Sequence, residues 1–246
     1  MTNAIHIDIV EYEPRYAASI ADMWNASQES WGGDGALQTE QMILEEHHNS
    51  PHLNIFLALA GDKVIGYCSF SHYKEDVGAL YIALLNVSPE YHGQKVGKRL
   101  VLRAVEETIK LGWPRVDLYT WPGNVKAVPA YKKAGFFWER REDVTHLINL
   151  IPSVLQTPAV QPFFEKIDWY NDSVREIATE PDGTGDNGFD YFTYEWRKDD
   201  LYLRMEYERT GRGLRLIETD DYLICATIPV RHRLPFGTSY PIEYKI

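Results

Sequence analysis

Residues 79–87 read ALYIALLNV, and SPEYHGQKVGKRL follows directly. A strand with one wet face alternates apolar and polar residues, whereas a run apolar at nearly every position asks for cover on both faces. That requirement points to helices layered on a sheet. From Val96 the positions Leu100, Val101, Ala104, Val105, Thr108 and Ile109 recur at helical period, and Gly112 with Pro114 stops the pattern. Gly93 and Gly97 lie between strand and helix. A new helix leaves its first N–H groups unpaired and turns the positive end of its dipole outward, so a glycine-bearing loop there suits a phosphate. A plain strand-to-helix turn has the same outline.

The rest of the chain sets this unit in a longer order. IHIDIVEY alternates as a half-buried strand, and RYAASIADMWNAS places Tyr16, Ile20, Met23 and Trp24 at helical spacing. After WGGDGA, the stretch LQTEQMILEEHH predicts a second short helix carrying Leu37, Met42, Ile43 and Leu44. NIFLALAGDKVIGYCSFSHY predicts a hairpin turning at Gly61, Asp62 and Lys63. Beyond the long helix come a strand (RVDLYTW), a short helix (NVKAVPAYKKAGFF) closed by Gly135, and a last strand or two in THLINLIPSV. PFFEKIDWYNDSVREIA reads as helical and TEPDGTGDNG as turn-rich. From Asp190 the runs DYFTYEW, LYLRMEYER, GLRLIETD, YLICATIPVRHRL and YPIEYKI predict a small antiparallel sheet or sandwich. The expected domains are 1–155, a connector over 156–188, and an all-β domain over 189–246. The abrupt end at Ile246 raises the expectation that the chain is part of something longer.

Composition narrows the function classes. With 25 Lys+Arg against 36 Asp+Glu, the net charge of −11 disfavours nucleic acid, whose phosphates want a basic face. Cys68 and Cys225 form no disulfide framework or metal cluster, and no run nears about 18 apolar residues, so a cytoplasmic protein off the membrane is expected. His47, His48 and His52 would place His48 and His52 on one helix face, but no third ligand follows, and a solvated helix end is the expectation. No GxGxxG opens a βαβ unit, which excludes a nicotinamide-dinucleotide fold.

The order of elements over roughly residues 5–155 resembles the GNAT superfamily of acyl-CoA-dependent N-acetyltransferases, on two stretches, LLNVSPEYHGQKVGKRL and TWPGNVKAVPAYKKAGF. The resemblance implies an α/β (α+β) fold with a mixed, splayed central sheet, and acetyl-CoA as co-substrate with no metal. In that family a loop of form Gln/Arg-x-x-Gly-x-Gly/Ala holds the CoA pyrophosphate. Its positions fall on His92, Gly93, Gln94, Lys95, Val96 and Gly97, with His replacing Arg or Gln and Lys95 replacing the first glycine. Lys98 follows on the same helix start. The resemblance further implies a bulge near Leu85, backbone contacts from Leu85 and Val87 to pantetheine, and an oxyanion contact from the Leu85 N–H. The second stretch matches through Asn124, Ala127, Tyr131 and Gly135-Phe136. Asn124 is expected as helix N-cap and pantetheine contact beside Ala127. Tyr131, seven residues on and on the same helix face, is expected as general acid to the CoA thiolate. Pro129 fits only within the first helical turn.

The base is not marked: Glu29, His72 and Tyr81 are the candidates, and QESWGGDGA, with Trp31, has the look of an acceptor-site lid. The expected reaction moves acetyl to a primary amine of a small molecule or protein by direct attack. The rival is a catalytically silent GNAT-like scaffold or CoA sensor serving the β domain, and an extra sheet edge there would suit a homodimer.

Overall fold

The computed structural model describes residues 6–28, 35–74, 78–121, 124, 126–140, 144–156, 165–166, 183–184, 190–198, 201–208, 213–218 and 226–229. The chain divides into two compact units, Met1–His72 with Tyr81–Glu107, and Tyr73–Leu80 with Thr108–Ile246. The architecture is mixed α/β.

In the first unit β1 (Asp8–Glu11), β2 (His52–Ala60), β3 (Lys63–His72) and β4 (Leu80–Val87) lie side by side in chain order. The hairpin between β2 and β3 turns on Gly61-Asp62, and Gly61 takes φ +62°, a region open to glycine at no steric cost. Helix α1 (Ala17–Ala26) turns Ala17, Ile20, Ala21 and Met23 inward, the period-3.6 stripe that its sequence carries. These side chains meet Ile43, Ile55, Leu57, Leu59, Val64 and Tyr67 in one core. Full burial of such an aliphatic side chain contributes about 1.5–3 kcal/mol.

Helix α2 (Glu40–Asn49) begins later than the apolar pattern suggests. Thr39 caps it, its Oγ1 accepting the Met42 N–H, which leaves Leu37 outside the helix and 68% exposed. Only Ile43 of this helix is buried. Helix α3 (Val96–Lys110) runs from the expected residue and is stopped by Gly112 at φ +71°. It approaches β3 closely at Gly66, where a Cβ would stand 2.8 Å from Leu100 Cδ1, 3.0 Å from Val96 Cγ1 and 3.2 Å from the Ala58 Cβ.

The second unit holds β5 (Val116–Thr120), α4 (Val128–Lys133), β6 (Phe136–Arg140), β7 (Thr145–Asn149) and α5 (Ile151–Gln156). The strands pair antiparallel in the order β5-β7-β6. Two features depart from the sequence reading. FFWER is a strand in its own right, entered at Gly135 with φ +91°. THLIN ends at Asn149, whose Oδ1 accepts the Ile151 N–H and whose Nδ2 donates to the Ala134 carbonyl, and LIPSV becomes helix with Pro152 in its first turn.

A second sheet, antiparallel in the order β12-β11-β10-β9-β8, is formed by β8 (Gly183–Thr184), β9 (Asp190–Lys198), β10 (Leu201–Glu208), β11 (Gly213–Glu218) and β12 (Ala226–Pro229). The helical expectation for 162–178, most of the connector, and YPIEYKI lie outside the described residues. Among the described residues, no helix is long and apolar enough to cross a membrane, and no three His, Cys, Asp or Glu are grouped to hold a metal ion.

Candidate active site

The loop between β4 and α3 is the first half of the site. His92, Gly93, Gln94 and Lys95 are exposed, Val96 is buried, and Gly97 and Lys98 are half-buried. Gly93 takes φ +80° and Lys95 φ +63°. The left-handed region costs a non-glycine residue about 1–2 kcal/mol. Lys95 therefore holds, under strain, the conformation that the family's glycine holds freely. Its carbonyl accepts the Arg99 N–H at 3.0 Å and so opens α3, which sets the first-turn N–H groups of 96–98 ahead of the helix's own bonding. With Lys95, Lys98 and Arg99 side by side in a chain of net charge −11, this end of α3 is locally basic and fits a phosphate.

His92 has turned back on the strand. Its Nε2 lies 2.9 Å from the Val87 carbonyl, and because a carbonyl only accepts, Nε2 carries the proton. A Cβ on Gly97 would meet Val87 Cγ2 at 3.6 Å and Leu85 Cδ2 at 3.8 Å, ordinary contacts, so packing alone does not demand glycine there.

Strand β4 is not covered on both faces as its composition predicts. Ile82 and Asn86 are 4% and 5% exposed, but Ala83 is exposed and Leu84, Leu85 and Val87 are half-buried. Leu84 packs on the core of the first unit. Apolar residues with open backbone beside a basic loop are what a substrate-lined strand presents.

Asn124 and Tyr131 belong to the second unit. Asn124 is not the N-cap: α4 starts at Val128, Ala127 occupies the cap position, and Asn124 stands three residues earlier. There it closes a turn, its Oδ1 accepting the Ala127 N–H at 3.1 Å and its carbonyl the Val128 N–H at 3.2 Å, while Nδ2 donates to Thr120 Oγ1 at 2.7 Å. The shared helix face with Tyr131 falls with the cap. Pro129 does sit in the first helical turn. Tyr131 is 7% exposed, with its ring centroid 6.2 Å from that of Phe136.

Among the base candidates, Glu29 lies outside the described residues, as does Trp31, while His72 is exposed and Tyr81 half-buried. His47, read as a solvated helix end, is instead half-buried. Its ring lies edge-on to Tyr12 at 4.3 Å and stacks on Tyr67 at 5.8 Å, and its Nε2 is 3.1 Å from the Tyr67 hydroxyl. Burial, with His52 adding to it, lowers its pKa to about 4. His52 lies in β2, beyond the end of α2, so it shares no helix face with His48.

One polar group was missed. Arg115, Asp117 and His146 are 1%, 0% and 2% exposed and bonded to one another. The signal in the sequence is a strand, RVDLYT, whose alternate positions are charged where its neighbours are apolar.

The model of the acetyltransferase (GNAT) family matches residues 19–136, and through that domain the chain belongs to the GNAT superfamily. N-alpha-acetyltransferase 30 of Homo sapiens and of Mus musculus are each 31% identical to it over 96 residues, 38% of this chain and 26% of theirs. The match thus spans 26% of the length of those relatives. Among solved structures, PaiA N-acetyltransferase from Thermoplasma acidophilum in complex with coenzyme A is 19% identical, with 59% of this chain and 99% of that one covered and a TM-score of 0.48. An acetyltransferase of the GNAT family from Streptococcus pneumoniae is 24% identical, with 58% and 97% covered and a TM-score of 0.48. The family assignment rests on the family match and not on these two.

Proposed function

We propose that the chain transfers acetyl from acetyl-CoA to a primary amine of a small molecule or a protein, in the cytoplasm, by direct attack. The observation that carries this reading is the loop at 92–97, in which Lys95 is held at φ +63° at the mouth of α3. Strain kept at an exposed, basic helix start is explained by a ligand that needs that backbone shape. Lys95, Lys98 and the first-turn N–H groups of α3 meet the phosphates, and the backbone of Leu85 and Val87 meets the pantetheine arm, as does Asn124.

The amine nitrogen attacks the thioester carbonyl carbon. A C–N bond forms, the C–S bond breaks, and the Leu85 N–H meets the developing oxyanion. Tyr131 gives its phenolic proton to the departing thiolate and regains one from solvent, which also takes the proton released by the amine. A covalent acyl-cysteine route finds no support in Cys68. It is fully buried, and burial pushes its thiol up to about 12, so it is no nucleophile at neutral pH.

Thiol release from acetyl-CoA, followed across a panel of primary amines, tests the reading. The Tyr131→Phe variant is expected to lose at least about a hundredfold in turnover, the usual contribution of a positioned acid. Unchanged turnover removes Tyr131 from the mechanism. The bond from His92 to the Val87 carbonyl favours a second reading, a CoA-binding scaffold without turnover, because it engages backbone that the pantetheine arm would use. Thiol release above the amine-free rate rejects that alternative.

A further inference from the structure

Arg115, Asp117 and Tyr119 alternate along β5 and share a face, and His146 of β7 stands opposite Tyr119 in the antiparallel register. Asp117 accepts two bonds from one guanidinium, Arg115 Nε at 2.8 Å and Nη2 at 3.0 Å, and a third from His146 Nε2 at 3.0 Å. The His146 ring lies against that of Tyr119, with centroids 4.4 Å apart and planes 14° from parallel. The Tyr119 oxygen accepts a hydrogen bond from the Tyr73 hydroxyl at 2.9 Å. Tyr73 reaches this strand because residues 73–80 fold onto the second unit, the Tyr73 N–H donating to the Ala79 carbonyl and the Leu80 N–H to the Arg115 carbonyl.

A buried ion pair is an inefficient way to fill a sheet, since apolar residues of similar volume often do as well or better. What the group supplies is orientation. Asp117 fixes the plane of the His146 imidazole, that plane fixes the Tyr119 ring, and Tyr73 fixes the Tyr119 hydroxyl. Tyr119 itself is only partly buried. Its neighbour Thr120 projects to the opposite face of β5 and receives Asn124 Nδ2. One strand end thus carries the Asn124 turn on one side and a fixed phenol on the other.

A phenolic oxygen that accepts one bond keeps a second lone pair and its own proton. It can receive an N–H while donating to a neighbouring oxygen, and it adds no charge that would hold an amine in its ammonium form. We propose that Tyr119 hydrogen-bonds the acceptor amine and that Tyr73 and His146 are its positioning residues. This assignment rests on the acetyltransferase reading above.

The test uses the full chain, with spermidine and a short peptide bearing a free α-amine as probes. Thiol release gives kcat and KM for each amine, and calorimetry gives the Kd for acetyl-CoA. Tyr119→Phe is expected to lower kcat/KM for the amine about tenfold, mainly through KM, and Tyr73→Phe about threefold, with the acetyl-CoA Kd and the slow amine-free hydrolysis within about twofold of the unmodified chain. A merely structural role would move all of these together. Amine kcat/KM within about twofold of the unmodified chain in Tyr119→Phe, or a parallel change in the acetyl-CoA Kd, overturns the assignment and leaves the acetyltransferase reading standing. If the unmodified chain releases no thiol with either amine, the acetyltransferase reading falls, and this assignment falls with it.

Discussion

Asp117→Asn is the substitution whose consequence the structure defines most closely. The carboxylate has 0% exposure and accepts three bonds, two of them from a guanidinium that is itself 1% exposed. An amide keeps the shape but offers one acceptor oxygen in place of two, and its NH2 group must face a donor, either Arg115 or His146. The Arg115 charge then stays buried without a counter-charge, and breaking a buried pair in this way costs about 3–5 kcal/mol. Against a typical domain stability of about 5–15 kcal/mol that is a large fraction. Urea unfolding at pH 7, followed by tryptophan fluorescence, is expected to show a lower midpoint with the slope unchanged. The pH dependence supplies an internal control. Burial pushes the Asp117 carboxyl up, but the Arg115 charge and the His146 bond outweigh it and hold the group below its ordinary 3.8. A depressed pKa stabilises the fold above the unfolded value, and that stability is lost as pH falls through the folded one. The deficit of the Asn variant must therefore shrink below 3.8. A deficit under about 1 kcal/mol at neutral pH, or one that persists undiminished in acid, would refute the buried-pair account.

Three further outcomes follow from the same packing. His47 has its pKa lowered from 6.5 to about 4, so its neutral form stabilises the fold above 6.5 and that stability is lost as pH falls towards 4. Solvent screening at this half-buried site reduces the effect to about 1–2 kcal/mol, and His47→Phe should flatten the melting temperature against pH across that window. Gly66→Ala drives a methyl into Leu100 and Val96 and is expected to cost about 1–3 kcal/mol in denaturant unfolding; an unchanged midpoint would show that β3 and α3 are not so close. Lys95→Gly relieves φ +63° and should raise thermal stability by about 0.5–1 kcal/mol while weakening CoA binding, whereas a gain in both would show that the lysine does not serve the phosphates.

Much of this fold was legible in the sequence because its signals are local. Gly61, Gly112 and Gly135 each sit where positive φ is needed, and Val96 does begin the long helix. Pro129 lies in the first turn it was expected to occupy. What escaped depends on pairing between distant segments. FFWER becomes a strand only by lying along β7, and LIPSV leaves the strand because Asn149 captures the Ile151 N–H. The Arg115–Asp117–His146 group exists because the antiparallel register sets Tyr119 opposite His146. His47 reads as solvent-facing until Tyr12 and Tyr67 enclose it. The phosphate loop was found by its position between strand and helix, although it keeps only the last glycine of the family's pattern. The strain at Lys95 became visible only in the backbone.

The most direct test of the central claim, that this chain binds acetyl-CoA for transfer, is calorimetric titration of the purified protein with acetyl-CoA, with desulfo-CoA as the non-reactive control. Saturable, micromolar binding of both is the expected result. No binding at millimolar concentration would mean that His92 and Lys95 do not form a phosphate cradle, and it would contradict the proposed function.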